Sequence, residues 1–165
     1  MGEGCIRPAR LEDLPRLGAI YAHWVEHSAA TFDVEPRDEA ALRVWFDGYP
    51  GGRHRLVVVE TDAGVQGYAS SGRFETRPAY DVSVELSVYL APEARGRGYG
   101  GRLLDHLLDA LAGEDLHRAY AGVALPNPAS CALFESHGFT RCGLYTEVGF
   151  KHGRYWDVAW YERAL

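Results

Sequence analysis

The sequence predicts an α/β chain, a mixed and mostly antiparallel central sheet flanked by helices on both faces. Three observations carry that reading. Runs rich in β-branched residues alternate with segments whose apolar residues recur at three- and four-residue spacing. The Val82–Leu90 run and the Leu103-Leu104-Leu107-Leu108-Leu111 stripe are joined by Arg95-Gly96-Arg97-Gly98-Tyr99-Gly100-Gly101, which makes a strand, a glycine-rich turn and a helix. The whole order is β-α-α-β-β-β-α-β-α-β-β, in which hairpins outnumber the crossover connections. A length of 165 residues suits one domain, 1–165, with a core able to stand without disulfides.

The elements follow in order. Ile6 to Pro8 reads as a short first strand. Leu11-Leu14-Leu17-Ile20-Tyr21-Trp24-Val25 has helical spacing. Ser28 to Pro36 is a polar loop carrying Phe32, and Asp38 can cap a second helix holding Leu42, Trp45 and Phe46. Tyr49-Pro50-Gly51-Gly52 ends that helix. Leu56-Val57-Val58-Val59 is a buried strand, and Asp62-Ala63-Gly64 turns it into a hairpin partner, Val65 to Phe74. The Val82–Leu90 strand, the Gly98–Leu111 helix and the Ala119–Leu125 strand form the β-α-β unit. A helix from Asn127 to His137 stops at Gly138, and strands Arg141–Val148 and Tyr155–Tyr161 close the chain.

Composition narrows the function classes. Net charge is -6, hydrophobic residues make up 47% and charged residues 24%, an ordinary soluble balance that argues against nucleic acid as a partner. No apolar run approaches a membrane span, so no membrane partner is expected. The N-terminal residues lack the apolar core of a secretory signal. Cys5, Cys131 and Cys142 are odd in number, far apart and without metal-ligand spacing, which reads as free thiols in the cytoplasm and no metal. Arginine outnumbers lysine 16 to 1, the one lysine being Lys151.

The glycine turn carries the chemistry. Arg95, Arg97 and Arg102 fall within eight residues with no acid among them, against the negative balance of the whole chain. Glycines let a backbone approach an anion closely, and a helix N-terminus adds N–H groups and a favourable dipole. The segment therefore reads as a diphosphate cradle, with a plain helix entry bearing surface arginines as the competing reading. A Rossmann fingerprint needs an acid after the next strand, where this chain has Pro126-Asn127. A Walker A loop needs a Lys-Ser/Thr pair, which is missing. On the strand before the turn, alternation puts Val82, Val84, Leu86 and Val88 on one face and Ser83, Glu85 and Ser87 on the other. From spacing alone, Glu85 reads equally as a general base and as a member of a solvated face or structural ion pair.

Arg95-x-x-Gly98-x-Gly100 resembles the acetyl-CoA motif of the GCN5-related N-acetyltransferase (GNAT) superfamily, and Asn127-x-x-Ser130-x-x-Leu133-Phe134-Glu135-x-x-Gly138-Phe139 resembles its second hallmark. Thr31-Phe32-x-x-Glu35-Pro36, Arg77-x-Ala79-Tyr80-Asp81, Glu85-x-Ser87-Val88-Tyr89, Leu125-Pro126-Asn127, Gly149-Phe150-Lys151-His152-Gly153 and Asp157-Val158 are similar to the phosphinothricin acetyltransferases within it. The resemblance spans nearly the whole chain.

It implies the GNAT fold, acetyl-CoA as cosubstrate and direct transfer of acetyl to the amino group of a small amino-acid analogue of the phosphinothricin or methionine sulfoximine type. Acetylation of a peptide N-terminus or another small amine stays open, as does a non-catalytic CoA-binding module. Cofactor contacts are implied for Val88, Tyr89, Leu90, Arg95, Gly96, Arg97, Gly98, Tyr99, Gly100, Gly101 and Asn127. The Val88 amide would polarise the thioester carbonyl, and Glu85 would take the amine proton. Phe32, Arg77, Tyr80 and Lys151 are implied at the acceptor. Relatives of this type pair as homodimers. The chain departs from the pattern at Phe134, where phosphinothricin acetyltransferases carry histidine and many other members tyrosine, so no general acid is assigned. His137 reads as a surface residue at a helix end, and the four tryptophans as core.

Overall fold

The computed structural model describes residues 4–165. Its sheet has seven strands in the order β1-β2-β3-β4-β5-β7-β6. These are β1 (Cys5–Pro8), β2 (Leu56–Thr61), β3 (Gly64–Arg73), β4 (Ser83–Leu90), β5 (Arg118–Ala124), β6 (Thr140–Lys151) and β7 (Arg154–Ala164). Every neighbouring pair is antiparallel except β4 and β5. Four α-helices flank it: α1 (Leu14–His27), α2 (Glu39–Asp47), α3 (Tyr99–Leu111) and α4 (Pro128–Ser136). This is the mixed sheet that the order of periodic segments predicts.

The faces follow from strand alternation. Val84 and Leu86 are buried on the α3 face, where Leu103, Leu104, Leu107 and Leu111 are fully enclosed and Leu90 reaches Gly100. On the opposite face Tyr68 of β3 and Tyr89 of β4 meet at 5.6 Å between ring centroids. Tyr21 of α1 packs edge-on to Tyr89, and Trp45 of α2 edge-on to Tyr68. Glu85 and Ser87 share that second face with Tyr89.

Three of the differences from the expected boundaries have a visible physical cause. The first helix is split, with a 3-10 turn over Leu11–Asp13 leading into α1. Asp13 is held there by a fork from Arg7, whose Nη1 and Nη2 donate to it at 2.8 and 2.9 Å, and its carboxylate also accepts from the Arg10 amide. Val82 lies outside β4 and is 46% exposed, because pairing to β5 starts only at Ser83. β6 runs on to Lys151, well past Val148. Its turn, His152-Gly153, has φ of 51° and 75°, the two positive values that a type I′ hairpin demands. Asp38 caps α2 as expected, accepting from the Ala41 amide at 2.8 Å.

The feature that makes a site is the parting of β4 and β5. Their parallel ladder holds only Ser83–Arg118, Val84–Ala119 and Glu85–Tyr120. Beyond Glu85 each strand keeps its outer partner, β3 or β7, and the two diverge.

Candidate active site

A cleft of about 580 Å³ fills the wedge between β4 and β5. Leu86 to Leu90 form one wall, Gly122 to Ala124 the other, and α4 together with the glycine turn the floor and mouth. Strand parity decides which backbone groups face it. The Ala91 amide donates to Gln66 on the β3 side, whereas the Val82 carbonyl accepts from His117 and Arg118 on the β5 side. Even-numbered amides of β4, Val88 among them, therefore point toward the gap that β5 has vacated. The Leu90 carbonyl on that side is taken by the Trp24 indole at 2.8 Å.

The mouth is built by two glycines in the left-handed region, Gly96 at φ 72° and Gly98 at φ 78°. A Cβ at either would meet no atom within 4 Å, so the space beside both is open for a ligand. Gly98 caps α3 and no side chain competes for its first amides. Arg95, Gly96, Gly98, Gly100 and Gly101 line the cleft. Arg95 is exposed and its guanidinium lies 5.5 Å from the Trp24 ring centroid. Three residues of the predicted cradle behave differently. Tyr99 turns its ring into the core and leaves only backbone at the turn. Arg97 is exposed outside the cleft wall. Arg102 donates to the Gly4 carbonyl and is thereby withdrawn from the positive cluster. A diphosphate fits this cradle by its vacant space, its amides and Arg95.

Asn127 caps α4, its Oδ1 accepting from the Ser130 amide at 3.2 Å, and both residues line the cleft. Capping and cleft-lining thus coincide in one side chain. Phe134, on α4, also lines the cleft. It is 5% exposed and packs edge-to-face on Phe139 with centroids 5.2 Å apart.

Glu85 stands at the last rung before the strands part. Burial raises its pKa above the usual carboxylate range, and Glu75 adds repulsion in the same direction. No cation contributes, so the ion-pair reading of Glu85 loses its support. Across the ladder sits Tyr120, on which Phe74 stacks at 4.5 Å. Phe74 also touches Tyr80 and Trp160 edge-on. Arg77 and Tyr80 are exposed on the turn that Phe74 anchors beside Glu85. Phe32 lies in the loop after α1 against Gly149, where an added Cβ would come within 2.5 Å of its Cζ. Lys151 is not the free cation that a substrate-facing lysine would be. It is 4% exposed, its Nζ donates to the Thr31 carbonyl at 2.8 Å, and it presents no charge to the cleft.

Sequence reasoning missed Trp24, which lines the cleft, and Phe74 and Tyr120, which floor the region beside Glu85. Trp24 falls on an apolar helical stripe, and nothing in one sequence separates a core tryptophan from one at a cleft edge. Tyr120 was within reach, since it shares β5 alternation with Gly122. His137 is also corrected. Its Nδ1 lies 2.7 Å from the Leu133 carbonyl and its Nε2 3.2 Å from Asp105, tying α4 to α3.

Comparison with known proteins gives a consistent set. Residues 19–139 match the acetyltransferase (GNAT) family. A phosphinothricin N-acetyltransferase from Streptomyces coelicolor is 52% identical over 164 residues, spanning 97% of this chain and 95% of that protein. An L-methionine sulfoximine/L-methionine sulfone acetyltransferase from Pseudomonas aeruginosa is 35% identical, spanning 97% and 94%. The crystal structure of a GNAT superfamily phosphinothricin acetyltransferase from Sinorhizobium meliloti in complex with AcCoA superposes with a TM-score of 0.94 at 36% identity, over 98% of this chain and 88% of that one.

Proposed function

The chain belongs to the GNAT acetyltransferase family and is an N-acetyltransferase, and from that premise we propose how its cleft transfers acetyl from acetyl-CoA to the amino group of a small amino-acid analogue. One observation carries the reading: β4 and β5 part immediately after Glu85, so a half-buried carboxylate without a cation stands where the strands diverge, next to Leu86 and Ser87 of a cleft whose mouth is the glycine turn. Relatives named for phosphinothricin and for methionine sulfoximine support an acceptor of that class.

Acetyl-CoA supplies an activated acyl group as a thioester. Amides at the start of α3, with Arg95, hold its diphosphate. The inward-facing amides of β4 hold its pantetheine arm. The Val88 N–H donates to the thioester oxygen and stabilises the charge that develops there, a contribution of about 10²–10³ in rate. Glu85 takes a proton from the acceptor ammonium, directly or through one water, so that the neutral amine attacks. A carboxylate whose pKa is raised toward neutrality suits that step. Phe134 offers no proton, so the departing thiolate is protonated from solvent or from a tyrosine elsewhere in the site. Phe32, Arg77 and Tyr80 border the acceptor.

Three unpaired cysteines, Cys5, Cys131 and Cys142, support a cytoplasmic setting. No helix among the described residues is long and apolar enough to cross a membrane. The β6–β7 hairpin exposes Tyr145, Val148, Phe150 and Tyr155, each more than half accessible, a patch that supports self-association as a homodimer.

The test is acetyl-CoA turnover with free-thiol detection across a panel of amines. CoA release with amino-acid sulfoximines or phosphinates is expected. Release only with peptides would move the acceptor class, and tight CoA binding with no release would remove the enzymatic reading. Light scattering on the native protein and on Phe150→Glu should give a dimer and a monomer.

A further inference from the structure

Residues 28–37 form a strap between α1 and α2 that borders the cleft through Ala30. Among the described residues, no backbone–backbone hydrogen bond forms within 29–37. The strap hangs instead on side-chain donors. His152 Nε2 reaches the Ser28 carbonyl at 3.3 Å, Tyr89 Oη donates to the Ala30 carbonyl at 3.3 Å, and Lys151 Nζ donates to the Thr31 carbonyl at 2.8 Å. Lys151 is the strongest of these, being charged, shortest and 4% exposed. Its own backbone is rigid, paired to Arg154 across the hairpin and accepting from the Trp156 indole at 2.8 Å.

The surrounding groups form a closed polar set. Tyr21 Oη lies 2.6 Å from Thr31 Oγ1 and donates to Asp33 at 2.7 Å. Arg37 lies 4.2 Å over the Tyr21 ring and 3.4 Å from Asp33. The charges facing Lys151 are thus Asp33, with Arg37 behind it. An ammonium buried to this degree is costly unless it is hydrogen-bonded and faces an anion, and the Thr31 carbonyl and Asp33 fill those roles. The next residue of the strap, Phe32, stands on Gly149, two positions before Lys151.

We propose that Lys151 is a positioning residue that fastens the strap, and with it Phe32 and Ala30, over the acceptor end of the cleft. This rests on the acetyltransferase reading above. Acceptor affinity, not the chemical step, depends on it. No contact between Lys151 and the acceptor is required.

Lys151→Met keeps the length of the side chain and removes the donor. Its acceptor KM is expected to rise about tenfold, the weight of one charge-assisted hydrogen bond, with kcat and the acetyl-CoA KM within about twofold of wild type. Lys151→Arg retains a donor and should recover most of the loss. An unchanged acceptor KM in Lys151→Met overturns the proposal, and no turnover by the wild type with any amine overturns the functional reading instead. A second measurement needs neither variants nor activity. Lys151 is the chain's sole lysine, so acetic anhydride labelling at that side chain, followed by peptide mass spectrometry, reports directly on the strap. Labelling is expected to be at least about a hundredfold slower in the native protein than in the urea-unfolded chain, tracking the rarity of local opening. Equal rates in the two states overturn the proposal.

Discussion

Replacing Glu85 by Gln removes one proton-accepting oxygen and keeps the shape of the side chain. Loss of a general base costs about 10²–10⁴ in kcat, or about 2.7–5.5 kcal/mol at 1.36 kcal/mol per decade. Structure sets the pH at which the loss is read. Burial first, and Glu75 second, hold the Glu85 pKa above the ordinary 4.5 of a glutamate. Wild-type activity should therefore fall as pH drops through that raised value. In Glu85→Gln the only remaining ionisation is that of the amine itself. The deficit should be largest near neutrality and shrink as pH approaches the amine's own pKa. Stability moves in the other direction. A carboxyl whose folded pKa lies above its unfolded one favours folding while protonated, and that contribution is lost as pH rises through the folded value. Glu85→Gln is accordingly expected to melt higher than wild type at pH 8 and level with it at pH 4. The assay is initial-rate thiol release from pH 5 to 9, with calorimetric CoA titration to confirm that cofactor affinity is retained. Equal rates for the two proteins at pH 7 would refute the base assignment, and a parallel loss of CoA affinity would show that Glu85 shapes the cleft rather than moving a proton.

Three further outcomes are expected. Gly98→Ala meets no steric neighbour but must hold φ 78°, so it should lose about 1–2 kcal/mol in a denaturant melt and bind CoA more weakly, since its methyl enters the cradle. Phe134→His puts a polar ring at a site 5% exposed against Phe139 and should cost about 1–3 kcal/mol of stability, without lowering kcat of the folded enzyme at permissive temperature. Asp13→Asn breaks the fork with Arg7, whose side chain is 13% exposed and keeps Glu60 as a partner at 2.7 Å, and should cost about 1–3 kcal/mol near neutral pH. Arg7 holds the Asp13 pKa below its ordinary 3.8, so this stability is present above that value and lost as pH falls through the lower folded one. Chemical melts at pH 7 and pH 3 should show the gap between wild type and variant narrowing in acid.

Local chemistry made most of the elements legible. The Leu103–Leu111 stripe could bury itself only as a helix, the Leu56–Val59 run only in a sheet, and Asp38 and Asn127 cap the helices their positions announce. Glycines at 96 and 98 marked a helix entry whose backbone can take unusual torsions, and both stand at positive φ there. The continuation of β6 through Gly149 was hidden, since a bulge at Glu147 breaks the period-two pattern and hydrophobicity alone cannot read across it.

What the fold alone decided is where groups distant in sequence meet. Glu85 was a candidate base in the sequence, but its place at the end of the short ladder with Tyr120, where the strands part, is a fact of strand divergence that no single strand encodes. Lys151 and Thr31 lie 120 residues apart, and only the hairpin's return against the strap after α1 turned an expected ligand cation into a buried fastener. Sequence determines each segment's own torsions and faces, which are short-range properties. Desolvation and contact depend on which faces are pressed together, and these belong to the assembled sheet.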